Sequence, residues 1–113
     1  MKDDEFVRIA KALADPTRRR MLDALRGAGE LNCSQLCALF PLRQPTISHH
    51  VKTLQEAGLV VRREEGAFHV MSLDAARLRD FAAALDRPRG AARSAARGTR
   101  VPARTAARRR SRA

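Results

Sequence analysis

The segment 42–59, LRQPTISHHVKTLQEAGL, is the part of the chain that most restricts its fold. It reads as one helix, opened by Pro45 and closed by Gly58. Its large apolar residues are spaced by four and three positions and therefore share one stripe: Ile47, Val51 and Leu54. The opposite face carries short hydrogen-bonding side chains with a cationic bias: Gln44, Thr46, Ser48, His49, Lys52 and Thr53. Because base edges are read by hydrogen bonds and phosphates by cations, this pattern suits a helix in the major groove of DNA. The alternative is an ordinary amphipathic surface helix.

Three shorter helices are predicted before this segment. The first covers 4–14 and is capped by Asp3 or Asp4. The second covers 16–27, because Asp15 is a good cap and Pro16 is tolerated at the first helical position. The third covers 33–40, capped by Asn32 and ended by Pro41. The turn after it is so short that the third helix and the segment 42–59 form a helix-turn-helix.

Beyond Gly58 the spacing of the apolar residues changes from the period of a helix to the period of a strand. Residues 59–63 and 67–73 read as two strands around a turn at 64–66. A hairpin directly after such a helix is the arrangement of a wing, and Asp74 can cap a last helix, 75–86. The predicted fold is therefore mainly α with a small β-hairpin, a winged helix-turn-helix in the order α-α-α-α-β-β-α within residues 1–86.

The formal net charge of +11 is unevenly distributed along the chain. Residues 1–86 hold 13 Lys and Arg against 12 Asp and Glu, whereas residues 87–113 hold 10 Arg and no acid. The second segment has too few large apolar residues to offset its ordering entropy, so we predict a disordered, Arg/Ala-rich tail. The tail is either an extension without a role or a nonspecific DNA anchor that releases counterions on binding.

Composition argues against several functional classes. The chain has no apolar run that could span a bilayer, and its start, MKDDEF, lacks the apolar region of a signal peptide. We therefore expect a cytoplasmic, nucleoid-associated protein with no membrane partner. Four Phe without Trp or Tyr make a stacking platform for single strands unexpected. No nucleophile–base pair or phosphate-binding Gly loop is found, so we expect neither an enzyme nor a cofactor.

Three stretches resemble the ArsR/SmtB family of winged helix-turn-helix repressors. ALADPTRRRML at 12–22 is similar to the family's A-L-x-D-P-T-R-x-x-I-L. QPTISHHVKTLQEAGLV at 44–60 is similar to its recognition helix, Q-x-T-V-S-x-H-L-x-x-L-x-x-A-G-L-V. RREEG at 62–66 is similar to the start of its wing. The resemblance covers about residues 5–85.

This resemblance implies a homodimer that binds double-stranded DNA. The first and last helices would form much of the interface, and two-fold symmetry would give an inverted-repeat operator with half-sites about 34–36 Å apart. The apolar surface of those helices fits a dimer of so small a domain. The expected interface residues are Phe6, Ile9, Leu13, Leu78, Phe81 and Leu85.

The effector sites known from the family are not recognisable in this chain. Arsenic-sensing members resemble E-L-C-V-C-D-L at the third helix, where this chain has ELNCSQL at 30–36, with Asn32 and Ser34 at the two Cys positions. A zinc-type site on the last helix needs His, and residues 75–86 contain none. We therefore expect no metal site and identify no small-molecule effector.

Cys33 and Cys37 form a pair four residues apart on one helix face. The pair is poorly placed for a structural disulfide. Either the two are small buried apolar residues, or they act as a thiol sensor or soft-ion site that lacks a third ligand. The histidines form no ligand set by spacing. His49 faces outward, His50 packs inward or reaches a phosphate, and His69 lies on the second wing strand.

Eight residues are predicted to contact DNA. They are Arg43, Gln44, Thr46, Ser48, His49 and Lys52 on the helix, with Arg62 and Arg63 at the wing. Two features depart from the family pattern: Arg43 replaces a frequent Ser cap, and an acidic wing tip with Ala67 argues against deep insertion into the minor groove. As an alternative, Arg62 and Arg63 pair with Glu64 and Glu65 across the hairpin.

The leading functional interpretation is a dimeric, sequence-specific transcriptional repressor. One alternative is an architectural, nucleoid-type DNA-binding protein that acts through the basic tail. Another is a winged helix that has lost DNA binding and serves protein interaction.

Overall fold

A computed structural model describes residues 1–87 and shows five helices and three strands in that range. The elements are α1 (Asp3–Leu13), α2 (Pro16–Ala28), β1 (Glu30–Asn32), α3 (Cys33–Leu39), α4 (Gln44–Glu56), β2 (Val60–Glu65), β3 (Phe68–Leu73) and α5 (Ala75–Asp86). Residues 1–82 form one compact unit, which ends after the first eight residues of α5, and the described residues 83–87 belong to a second unit. The predicted tail lies outside the described residues from position 88 onward.

The predicted helix caps are confirmed at two of the three early helices. The Asp15 carboxylate accepts the backbone N–H of Arg18 at 3.0 Å, with Pro16 as the first helical residue. Asn32 and Gln35 each accept the other's backbone N–H at 2.8 Å. The cap predicted for α1 was wrong: Asp3 and Asp4 lie inside the first turn, and the Glu5 carboxylate accepts the N–H of Lys2 instead. Acids within a first turn favour this earlier start, because they face the positive end of the helix dipole.

The sheet contains a strand that the sequence does not reveal. β1 pairs antiparallel with β3, opposing Leu31 to Met71, so the strand order is β1-β3-β2. Three residues are too few to show a period, and the partner strand lies far along the chain. The wing turn is also tighter than predicted, because Glu65 pairs with Phe68 around a two-residue loop. Gly66 at φ 63 is its only residue with positive φ, as in a type II′ turn.

The apolar stripe of α4 forms the centre of the core. Ile47 and Leu54 are fully buried and Val51 is nearly so. They join a cluster that includes Met21, Leu36 and Leu59. Full burial of such side chains stabilises the fold by about 1.5–3 kcal/mol each, so the stripe fixes which face of α4 remains outside.

The end of α4 is a Schellman motif that leads directly into the wing. Gly58 N–H donates to Gln55 O at 2.9 Å and Leu59 N–H donates to Leu54 O at 3.0 Å. Gly58 has φ 81, a conformation that a residue with a Cβ adopts only at a cost. The motif sets the position of β2 relative to α4.

We predict that Gly58→Ala lowers the free energy of unfolding by more than Gly66→Ala. Both replacements meet a positive φ, which costs about 1–2 kcal/mol. Only the Cβ at position 58 would lie 2.6 Å from the Arg77 side chain, whereas nothing lies within 4 Å of the one at position 66. Chemical denaturation of both variants measures the difference, and equal losses would show that the Arg77 side chain does not restrict this turn.

Candidate nucleic-acid interface

A groove of about 1020 Å³ runs between α3, α4 and the wing, and we call it the wing groove. Gln44, Ser48 and Lys52 line it from α4, at a spacing of four that places them along one edge of the helix. Arg62 lines it from the opposite side, on β2. Three of the predicted helix contacts therefore share one concave surface with a wing cation.

The other predicted contacts on α4 are exposed but lie outside the wing groove. Thr46 and His49 are both exposed, as is Arg43 just before the helix. Arg43 occupies the cap position and its side chain makes no capping hydrogen bond. The expected loss of a cap at this position is confirmed, and the guanidinium remains available to a ligand.

Arg62 and Arg63 point to opposite faces of the sheet. Successive strand residues alternate sides, so Arg62 faces the wing groove and Arg63 faces away from it. On the outer face Arg63 makes a bidentate ion pair with Glu30, at 2.7 and 3.1 Å, and a third contact with Glu65 at 2.9 Å. The alternative interpretation of Arg63 as an ion-pairing residue thus has a structural basis, although its main partner comes from β1.

The Arg63 guanidinium also lowers the pKa of Glu30, mainly by hydrogen bonding. These groups are solvent-exposed, so the pairs contribute little to stability. Their effect is to commit Arg63 to two carboxylates of the same chain.

Arg18 is a residue whose position sequence reasoning missed. Its guanidinium is part-buried and joins its own helix, α2, to α1 and α4. Nε donates to Ala12 O at 2.6 Å, Nη2 donates to Lys11 O at 3.4 Å, and Nη1 lies 3.2 Å from His50 Nδ1. We call this set of contacts the Arg18 junction. A signal was present in the sequence: the predicted end of the first helix before Asp15 and Pro16 leaves its last carbonyls without N–H partners, so these acceptors need other donors.

Comparisons with known proteins show which family this chain resembles in sequence and fold. Residues 13–63 match the family model described as a helix-turn-helix domain. The transcriptional repressor SdpR of Bacillus subtilis (strain 168) is 36% identical over 72 residues, which are 64% of this chain and 79% of that protein. The arsenical resistance operon repressor of Staphylococcus aureus is 40% identical over 81 residues, 72% of this chain and 77% of the relative.

A crystal structure of an ArsR family transcriptional regulator aligns with a TM-score of 0.68 at 26% identity, covering 76% of this chain and 88% of that one. The chain belongs to the ArsR/SmtB family. The predicted family and the winged helix-turn-helix fold are thereby confirmed, and the family consists of DNA-binding transcription regulators rather than enzymes.

The cysteine pair of this ArsR/SmtB regulator lies on the wall of the wing groove. Cys33 and Cys37 both line it, and Gln44 Nε2 lies 3.8 Å from Cys33 Sγ. Burial and the neighbouring Cys33 raise the pKa of the Cys37 thiol. Asn32, at one of the family's arsenic-ligand positions, is occupied in capping α3. Within residues 1–87 no three His, Cys, Asp or Glu side chains cluster closely enough to hold a metal ion, and no helix there could cross a membrane.

The expected dimer residues occupy different environments. Phe6 and Phe81 stack with ring centroids 4.7 Å apart, and Leu13, Leu78 and Phe81 pack partly buried against the core. Ile9 is fully buried in that core, so its side chain is not on the surface offered to a second chain. Leu85, in the second unit, is 67% exposed.

We predict that Arg62→Gln weakens DNA binding more than Arg63→Gln. The two changes remove the same charge from adjacent positions on one strand, but only Arg62 faces the wing groove. Loss of one phosphate contact should reduce the slope of log affinity against log salt by about one for Arg62→Gln. Salt titrations of DNA binding by both variants provide the measurement. An equal or larger effect of Arg63→Gln would contradict the assignment of faces.

Proposed function

We propose that this ArsR/SmtB regulator is a dimeric repressor that binds an inverted-repeat operator through α4. The observation that carries the proposal is the wing groove, in which Gln44, Ser48 and Lys52 align along one edge of α4 and face Arg62. Hydrogen-bonding and cationic groups there converge on a concave surface, which suits a DNA backbone passing between helix and wing.

In this proposal the residues of α4 divide their roles along the helix. Gln44, Thr46 and His49 belong to its first half, the end that usually meets base edges, and would supply sequence preference. The cations Lys52 and Arg62 would bind phosphates, with Arg43 adding a third cation before the helix. Because the folded domain has a net charge near zero, this local placement has to supply the attraction.

The proposed dimer uses the surface that α1 and α5 share. Leu13, Leu78 and Phe81 line an apolar depression together with Ala10, which is exposed. A second copy covering it would bury this surface and bring two α4 helices into successive major grooves. Such a repressor would act in the cytoplasm on the nucleoid.

The test is footprinting on the DNA upstream of the gene, with Gln44→Ala compared with Gln55→Ala. Gln55 is a matched control because it also lines the wing groove but lies in the last turn of the same helix, away from the end that usually meets base edges. The wild type should protect two half-sites about one helical turn apart. Gln44→Ala should lose preference for that site over random DNA by about 1–3 kcal/mol, while Gln55→Ala keeps it.

Two results would overturn this proposal. Uniform protection without a preferred site would favour the architectural alternative that acts through the basic tail. Unchanged DNA affinity in Gln44→Ala and His49→Ala would favour an interaction module that no longer reads DNA.

We propose further that Cys33 is the point at which a thiol reagent releases the operator. The Cys33 sulfur lies beside Gln44 on the wall of the groove, so any group added to it occupies space that DNA would need. Burial and the neighbouring Cys33 raise the pKa of the Cys37 thiol, which lowers its reactivity. Cys33 is therefore the sulfur expected to react first.

Alkylation by iodoacetamide tests this role. The Cys33 sulfur displaces iodide and loses its proton, and operator affinity should then fall at least tenfold. Cys33→Ser should bind DNA normally and resist the reagent, whereas Cys37→Ser should stay sensitive. Undiminished binding by protein that mass spectrometry shows to be alkylated at Cys33 would make both cysteines purely structural.

A further inference from the structure

The Arg18 junction provides hydrogen-bond donors for carbonyls at the end of α1. The Ala12 carbonyl is one of the last four carbonyls of α1, which have no N–H partner within the helix. Arg18 Nε supplies the missing donor at 2.6 Å, and Nη2 extends the contact to the Lys11 carbonyl. A cation is also favourable at this negative end of the helix dipole. Two of the three contacts of the guanidinium are therefore made to the backbone of α1.

The third nitrogen of the guanidinium, Nη1, determines the protonation state of the His50 ring. Nη1 lies 3.2 Å from His50 Nδ1, and an arginine N–H can only donate. Nδ1 must therefore accept, which leaves the ring neutral with its proton on Nε2. His50 lies on α4 between Ile47 and Val51, whose side chains are in the core, and is itself partly buried.

We propose that Arg18 is a positioning residue for operator binding, which holds the recognition helix α4 in place through neutral His50 and releases it when His50 becomes protonated. This inference rests on the proposed function, because its consequence is a change in operator affinity. A protonated His50 would present an N–H to the donors of Arg18, so the contact becomes a repulsion between two cations. Since two of its three contacts hold Arg18 on α1, this repulsion removes the link between α1 and α4.

The charges around His50 set the direction of the pH effect. Burial lowers its pKa, the Asp15 carboxylate raises it, and the Arg18 guanidinium and the neighbouring His49 lower it further. Arg8 and Lys11 on α1 and Glu56 on α4 line the depression beside Arg18. Because the folded pKa lies below the ordinary value of 6.5, the contribution of the neutral ring is complete above that pH. It is lost as the pH falls through the lowered folded value.

The test is operator affinity from about pH 7.5 to about pH 5 for the wild type and His50→Asn. Wild-type affinity should fall by up to about tenfold per pH unit below the midpoint. His50→Asn should be nearly flat, since the Asn oxygen can still accept from Arg18 but cannot be protonated.

Two further variants separate positioning from general stability. Asp15→Asn keeps a good helix cap but removes the charge that favours protonated His50, so its midpoint should move to lower pH. Arg18→Lys keeps the charge but loses the fork that joins α1 to His50, and should weaken binding at pH 7.5 while circular dichroism stays unchanged. A wild-type profile without the acid decrease, or a decrease that persists in His50→Asn, would overturn the proposal.

An NMR titration of the free protein keeps this inference separate from the proposed function. The His50 ring should titrate below pH 6.5, and the Arg18 Nε–H signal should change with the same midpoint. If the upstream DNA is not bound at pH 7.5 but this coupled titration is seen, the proposed operator fails and the junction stands. If the two signals titrate independently, the junction fails whatever DNA is bound.

Discussion

The guanidinium of Arg18 joins the end of α1, the start of α2 and the outer flank of α4 through one side chain. Its position follows from the end of α1, whose last carbonyls have no N–H partner within the helix. Together with the buried stripe Ile47, Val51 and Leu54, the junction determines how α4 is rotated and how far it projects. The exposed residues of α4 have a defined arrangement only because these two sets of contacts hold the opposite side.

The positions of individual charged residues matter more in this domain than its net charge. Residues 1–86 are nearly neutral overall, so a general field does not attract DNA to them. Arg63 is engaged by Glu30 and Glu65 on the outer face of the sheet, whereas Arg62 faces the wing groove. The proposed recognition by α4 would therefore operate with few phosphate contacts from the folded part of the chain.

Much of the fold could be predicted from the sequence, because its signals are local. The spacing of the stripe on α4, the Asp15-Pro16 start of α2 and the Gly58 stop each report on a few neighbouring residues. β1 could not be predicted, because it exists only through pairing with β3. The same holds for Arg63 with Glu30 and for Arg18 with His50, since each pair is about thirty residues apart.

The candidate site, like the fold, could be predicted from the sequence only in part. The exposed side of α4 was identified from its polar residues, but the division between the wing groove and the outward edge depends on where the hairpin lies. Likewise, the spacing of Cys33 and Cys37 placed them on one face of α3, and only the packing of α3 against α4 shows that this face adjoins Gln44.

The most direct test of the account is an NMR titration of the protein with its upstream DNA, following backbone amides along the whole chain. The account predicts that the largest specific changes fall on residues 43–53 and on Arg62, with little change at Val61 and Arg63 on the outer face of the sheet. Changes confined to residues 88–113, or centred on the outer face of the sheet, would contradict it.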